Sequence, residues 1–191
     1  MAKNNLYKNL YCIIGASGCG KTATVDFLHD KFRRRILKSY TTRPKRHEYD
    51  TDHIYISEEE YQQLKNKVAT AEISGYHYCA TQEQVDEADY YVVDWGGFEE
   101  LLHKYKGKKR GIYIIYLYCS DEIRTLRMQT RGDNASNISQ RLDEDKTKFS
   151  RELYEKYMNY ILKTINTGNV TTGVVAGVIN VVSSRKDRQT K

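Results

Sequence analysis

The chain has 191 residues, 39% of them hydrophobic and 29% charged, and a formal net charge of +6 at pH 7. That length and apolar content suit one domain with a real core. No segment holds the roughly 18 uninterrupted apolar residues of a membrane span, and the opening MAKNNLYKNLYCII lacks the apolar run and small-residue cleavage site of a secretory signal.

The positive charge favours anionic partners, among which nucleotides, nucleic acids and acidic membranes are equal on charge alone. The basic runs Arg33 to Arg35 and Lys104 to Arg110 fall at helix ends or loops, where solvated lysines and arginines are ordinary. The expectation is therefore no nucleic acid and no membrane partner, with monomer and homodimer both open. Cys12, Cys19, Cys79 and Cys119 show no Cys-x-x-Cys spacing and no neighbouring His pair, so neither a zinc site nor a redox pair is indicated and a reducing cytoplasm fits.

In chain order, the apolar run Leu10 to Ile14 reads as a strand, followed by a glycine loop and by Val25, Leu28 and Phe32 at helical spacing. Residues Thr41 to Thr81 are rich in Tyr, Thr and Ile, with a hairpin-like Ser74-Gly75 turn. Within them Ser57 and Glu60 form a capping-box pattern that predicts a helix through about Lys67. Tyr90 to Val93 and Ile112 to Leu117 read as buried strands. Ser120-Asp121-Glu122 opens a helix toward Arg131, a polar gap at Gly132-Asp133-Asn134 follows, and a long charged helix is predicted from about Ile138 to Tyr157. The apolar piece Thr172 to Val182, interrupted by Gly173, Gly177 and Asn180, reads as a buried closing element. Alternation of strands and helices predicts an α/β fold with a parallel sheet covered by helices. The stretch of about 39–81 is a small β-rich insertion in a core of 1–38 and 82–191, and 127–145 is a helical lid.

Gly15-Ala16-Ser17-Gly18-Cys19-Gly20-Lys21-Thr22 fills every fixed position of a phosphate-binding loop, in the strand–loop–helix context that such a loop needs. The glycines let backbone N–H groups converge on phosphate oxygens, and the helix N-terminus adds a favourable dipole. Lys21 supplies the charge that spans the β- and γ-phosphates of ATP from the solvent edge of the site, and Thr22 offers its hydroxyl to Mg²⁺. Cys19 reads as a small residue in the loop, with a redox-sensitive thiol as the alternative. Beyond the first helix, Ser39-Tyr40-Thr41-Thr42-Arg43-Pro44-Lys45-Arg46 sets two arginines three residues apart, where guanidinium forks suit a phosphate monoester.

Those residues resemble the second signature of the guanylate kinase family, Ser-x-Thr-Thr-Arg followed shortly by Pro and Arg, although Pro44 sits one place early. The resemblance extends over most of the chain. Asp52-His53-Ile54-Tyr55-Ile56-Ser57 is similar to the family's Asp-Tyr-x-Phe-x-Ser, and Ser74-Gly75-Tyr76-His77-Tyr78 to its Gly-x-x-Tyr turn. It implies a P-loop kinase fold and a substrate-binding acceptor site that includes Ser39, in which Arg43, Arg46 and Tyr78 hold the acceptor's phosphate, with His53 replacing a tyrosine. Asp94 matches an aspartate near the acceptor and the metal waters, and equally suits a helix N-cap before Gly96-Gly97. Arg127, Arg131 and Arg141 match the lid arginines that close on the triphosphate, although arginines at helix ends also simply complement the dipole.

Two departures bear on the substrate. The guanine-reading positions hold Ala69 and Ala80, leaving Glu72 or Thr81 as substitutes after a register shift. In the tail, either Lys163 or Asn166 falls where the family has an adenine-side asparagine. The resemblance implies transfer of a phosphoryl group from Mg-ATP to a nucleoside monophosphate, GMP or dGMP first. A kinase of the same fold for another phosphorylated acceptor, a non-catalytic binding module for phosphorylated peptides and a nucleic-acid-binding ATPase are the alternatives.

Overall fold

The computed structural model describes residues 9–45, 48–73, 75–107 and 110–190. Arg46 and Ser74 lie outside the described residues. At the centre is a five-stranded, all-parallel sheet in the order β2 (Ile36–Leu37), β7 (Tyr90–Val92), β1 (Leu10–Ile14), β8 (Ile112–Tyr118), β9 (Ile161–Asn166). All five residues of β1 are buried, as an unbroken apolar run requires in a strand with both faces covered.

One face packs on Phe98 and Leu101 of α4 (Trp95–Lys104), with Tyr91 and Tyr157 in the same cluster. The other packs on Val25 and Leu28 of α1 (Lys21–Phe32) and on Val175, Ala176 and Ile179 of α8 (Thr172–Gln189). The order of strands places the C-terminal ends of β1 and β7 side by side, where ligands bind in open parallel sheets.

A second sheet holds β4 (Ile54–Tyr55), β3 (Tyr40–Thr41), β6 (Tyr76–Thr81) and β5 (Lys67–Ile73), in that order. β5 and β6 form an antiparallel hairpin with a bulge between Val68 and Ala71, and β5 packs on α4. This sheet falls within the β-rich stretch read from the sequence.

Three expectations change. The helix opened by the Ser57–Glu60 capping box, α2 (Glu58–Gln63), stops short of Lys67, because Leu64 turns to an extended conformation and Asn66 takes a left-handed φ of 55° that starts β5. The long charged helix begins earlier and is divided. Asn134 caps α6 (Ala135–Lys148), Phe149 breaks the helical conformation, and Ser150 caps α7 (Arg151–Lys156). The apolar tail piece is the first part of α8, buried on one side only; Val174 and Val181 are exposed. α3 (Gln82–Glu87) and α5 (Asp121–Thr130) complete the helices used below. Among the described residues no helix is long and apolar enough to cross a membrane.

Candidate nucleotide and acceptor site

The phosphate loop leaves β1 through two positions that admit only glycine. A Cβ on Gly15 would stand 2.2 Å from the Leu117 carbonyl oxygen of β8, so the loop departs in contact with neighbouring backbone. Gly18 has a φ of +78°, and a Cβ there would lie 2.8 Å from the Arg124 carbonyl oxygen of α5. Gly20 opens α1 with no side-chain cap, and the helix carries no acidic residue in its first turn. Its first-turn N–H groups are therefore not spent on a side chain and suit an anion.

Lys21 is half-buried on the wall of the cavity that opens along the loop, in keeping with the solvent edge expected from the sequence. Its Nζ folds back to donate to the carbonyl oxygens of Gly15, at 2.7 Å, and Ala16, at 2.9 Å. Burial pulls its pKa below the ordinary lysine value, opposed by the nearby Cys19 and Asp145. A half-buried ammonium resting on neutral carbonyls is poised to exchange them for anionic oxygens.

A cavity of about 550 Å³ opens along the loop, lined by Ser17 to Thr24, Asp26, Arg127, Arg131 and Arg141. The three arginines, from α5, its C-terminus and α6, thus meet on one cavity with the loop. Arg127 donates to the Thr167 carbonyl at 2.6 Å, to Thr167 Oγ1 at 3.0 Å and to the Gly18 carbonyl at 3.3 Å; Arg131 pairs with Asp133. Thr167 is a residue that sequence reasoning missed. It is buried after β9, and its hydroxyl donates to the Cys19 carbonyl at 3.1 Å. Of the tail, Thr167, Val170, Thr172 and Val175 line the cavity, whereas Lys163 and Asn166 do not. Cys19 is buried 3.8 Å from the Cys119 sulfur, and burial pushes its thiol up to about 11, which keeps it protonated at neutral pH.

A second cavity, about 110 Å³, shares Thr22 and Asp26 with the first and reaches Lys38, Ser39, Asp52 and His53. Beside it lies an aromatic and cationic cluster. The His53 ring stands edge-on to Tyr78 at 5.4 Å and to Tyr55 at 6.2 Å, and the Arg43 guanidinium lies 5.4 Å from the centre of the Tyr55 ring. Arg43 Nη2 donates to Asp50 Oδ2 and to the Tyr55 hydroxyl, both at 3.1 Å, and Nη1 to the Pro44 carbonyl at 2.8 Å. Asp50, buried at 4% exposure, was not singled out in the sequence; nothing in its spacing marks it. Burial pushes the Tyr55 hydroxyl up to about 12.

The remaining candidates are placed less directly. Ser39 Oγ lies 3.0 Å from the Tyr91 hydroxyl. Asp94 ends the β7 segment as the N-cap of α4, its Oδ1 accepting from the Gly97 N–H at 2.8 Å. Glu72 is exposed on β5 opposite His77, and Thr81 is buried with its hydroxyl accepting from the Gln84 N–H as the cap of α3. Ala69, with a φ of 50° in the β5 bulge, and Ala80 are both buried in the core cluster with Val68, Tyr91 and Trp95. Among the described residues no three His, Cys, Asp or Glu side chains converge as a metal site. Mg²⁺ bound through one hydroxyl, phosphates and water needs no such cage, and Thr22 on the cavity wall fits that mode.

In comparisons with known proteins, the chain resembles the crystal structure of guanylate kinase from Anaplasma phagocytophilum, with a TM-score of 0.55 and 15% identity over 94% of this chain and 86% of that one. At that identity the likeness is one of fold, and with the parallel sheet and helices above it makes this a P-loop kinase α/β fold. No curated protein matches the chain. Residues 12–155 match a family model described as an AAA domain, and because that span is well over half of the sequence, the chain belongs to the AAA domain family.

Proposed function

We propose that this protein is an ATP-dependent nucleoside monophosphate kinase that moves the γ-phosphoryl group of Mg-ATP to an acceptor nucleotide, GMP or dGMP first. The observation that carries the proposal is the junction of the two cavities at Thr22 and Asp26. A donor bound along the loop and an acceptor bound past Ser39 and His53 would meet there, and phosphoryl transfer is mostly a matter of such positioning. In this reading the insertion of about 39–81 supplies the acceptor side and residues 127–145 the lid.

The roles follow from charge. The N–H groups of Gly18 and of Gly20 to Thr22 take phosphate oxygens, and Lys21 leaves the Gly15 and Ala16 carbonyls to neutralise charge at the β- and γ-phosphates. Arg127, Arg131 and Arg141 add positive charge from the lid side of the cavity. Thr22 is the direct metal ligand, and Asp94 acts on metal-bound water and acceptor through the oxygen that does not cap α4. On the acceptor side Arg43 offers its guanidinium, with Tyr78, His53 and Ser39 beside it and Arg46 as a second cation. Bound Mg²⁺ would draw charge from the transferring group.

A second reading, a kinase for a different phosphorylated acceptor, is favoured by one observation. Ala69 and Ala80 sit in the packed core and Glu72 is exposed, which leaves the proposed phosphate grip without a base reader at these positions. The test is an ADP-release assay across ribo- and deoxyribonucleoside monophosphates, with products separated. Rapid, acceptor-dependent turnover with GMP or dGMP supports the first reading, and turnover with a different monophosphate the second. ADP formed with inorganic phosphate alone makes the protein an ATPase, and no turnover with intact ATP binding makes it a binding module.

A further inference from the structure

The phosphate loop is held by a charge pair that nothing in the phosphate-loop pattern calls for. Arg124 of α5 and Asp145 of α6 are 6% and 7% exposed and form a close ion pair. Both also reach the backbone of one loop residue. Arg124 Nε donates to the Ser17 carbonyl at 2.7 Å, and Asp145 Oδ2 accepts from the Ser17 N–H at 2.8 Å. A third arm, Arg124 Nη1, donates to Asp121 Oδ1 at 2.7 Å and fixes the guanidinium to its own helix.

The pair contacts the loop outside the nucleotide cavity. Arg124 and Asp145 line a separate space of about 220 Å³ with Ala16 and Cys19, and neither lines the 550 Å³ cavity. Stability does not account for them, since a buried ion pair costs desolvation that apolar residues of similar volume avoid. What they provide is orientation. A fork and a carboxylate on opposite polar groups of one residue leave that stretch of backbone little freedom, and N–H groups aimed in advance at phosphate oxygens bind them without reorganisation cost.

We propose that Arg124 and Asp145 are positioning residues that set donor-nucleotide affinity by clamping the Ser17 backbone, tying the loop to the two helices that carry Arg127 and Arg141. The proposal rests on the donor-site assignment above. It is tested by measuring equilibrium binding of Mg-ATP, thermal stability and the Michaelis constants of both substrates in two variants. Arg124→Leu combined with Asp145→Leu removes the clamp without leaving an unpaired charge, so the protein should fold with undiminished stability. Its affinity for Mg-ATP should fall about tenfold or more, since two charge-assisted bonds to the loop are lost, while the acceptor constant stays within about twofold. Arg124→Lys keeps the charge but cannot reach Ser17, Asp121 and Asp145 at once. It should show the same selective loss, smaller in size, and covers the case in which the double variant does not fold. Wild-type Mg-ATP affinity in either folded variant would overturn the clamp alone. A wild-type protein that binds no Mg-ATP would overturn the donor-site assignment and the clamp with it.

Discussion

Replacing Gly15 by alanine separates the loop's placement from its stability. Gly15 is not in the left-handed region, so the substitution carries no conformational penalty of its own. The new Cβ, however, would stand 2.2 Å from the Leu117 carbonyl oxygen, 0.8 Å inside the 3.0 Å below which real Cβ contacts essentially never fall. Leu117 is fully buried in β8, so the strand does not yield and the loop must move by most of that distance. Overpacking of this kind costs about 1–3 kcal/mol of stability. A displacement of nearly 1 Å at the phosphates should lower turnover about 100-fold, the scale expected of misplaced reacting groups.

Gly75→Ala is the control. Gly75 has a φ of +78° with nothing within 4 Å of the added Cβ, so it should lose about 1–2 kcal/mol from the left-handed backbone alone and keep Mg-ATP binding and turnover. Urea unfolding and Mg-ATP titration of both variants, with a coupled turnover assay, read the two effects. A folded Gly15→Ala protein with wild-type affinity and turnover would refute the close approach to β8 as the feature that places the loop.

Arg43→Ala should raise the Michaelis constant of the acceptor about tenfold or more and leave that of ATP nearly unchanged, because a charge-assisted fork is lost on one side only; a change confined to ATP would reverse the two subsites. Sequence alone suggests that Ala69→Glu would restore a guanine reader, but Ala69 is buried at 4% exposure with a φ of 50°. The expected result is a stability loss of about 3 kcal/mol or more from an unpaired buried carboxylate, and no gain in GMP over AMP turnover. A well-folded variant with sharper GMP preference would contradict this placement. Stability should also fall in alkali. Burial raises Cys19 and Cys79 from 9.0 to about 11, so between those values the unfolded thiols hold fewer protons than the folded ones. That stabilisation is complete below pH 9 and disappears as pH rises through 11, which urea midpoints across that range will show.

The parts legible in the sequence are those where local rules decide. The phosphate loop has fixed glycine spacing, β1 is an unbroken apolar run, and the capping box of α2 uses side chains three residues apart. The division between α6 and α7 was not legible, because charge along the stretch continues and only the conformation of Phe149 and the cap at Ser150 interrupt it. Nor were the long-range groups around the loop. Asp145 meets Ser17 across 128 positions, and Thr167 meets Cys19 across 148, and no periodicity encodes such contacts. Asp94 shows the other limit, since one spacing served both a helix cap and a ligand position and the cap is realised at Gly97.

The central claim, transfer between two bound nucleotides across the Thr22 junction, is tested most directly by ³¹P NMR of the protein with Mg-ATP and a single monophosphate, in wild type and in Lys21→Ala. The account predicts that the γ-phosphate resonance of ATP declines as the two resonances of a newly formed nucleoside diphosphate appear beside those of ADP. It predicts no transfer by the folded Lys21→Ala variant, because the charge on the transferring group is then left uncompensated. Loss of ATP to inorganic phosphate without a new diphosphate on any acceptor, or wild-type transfer by Lys21→Ala, would contradict it.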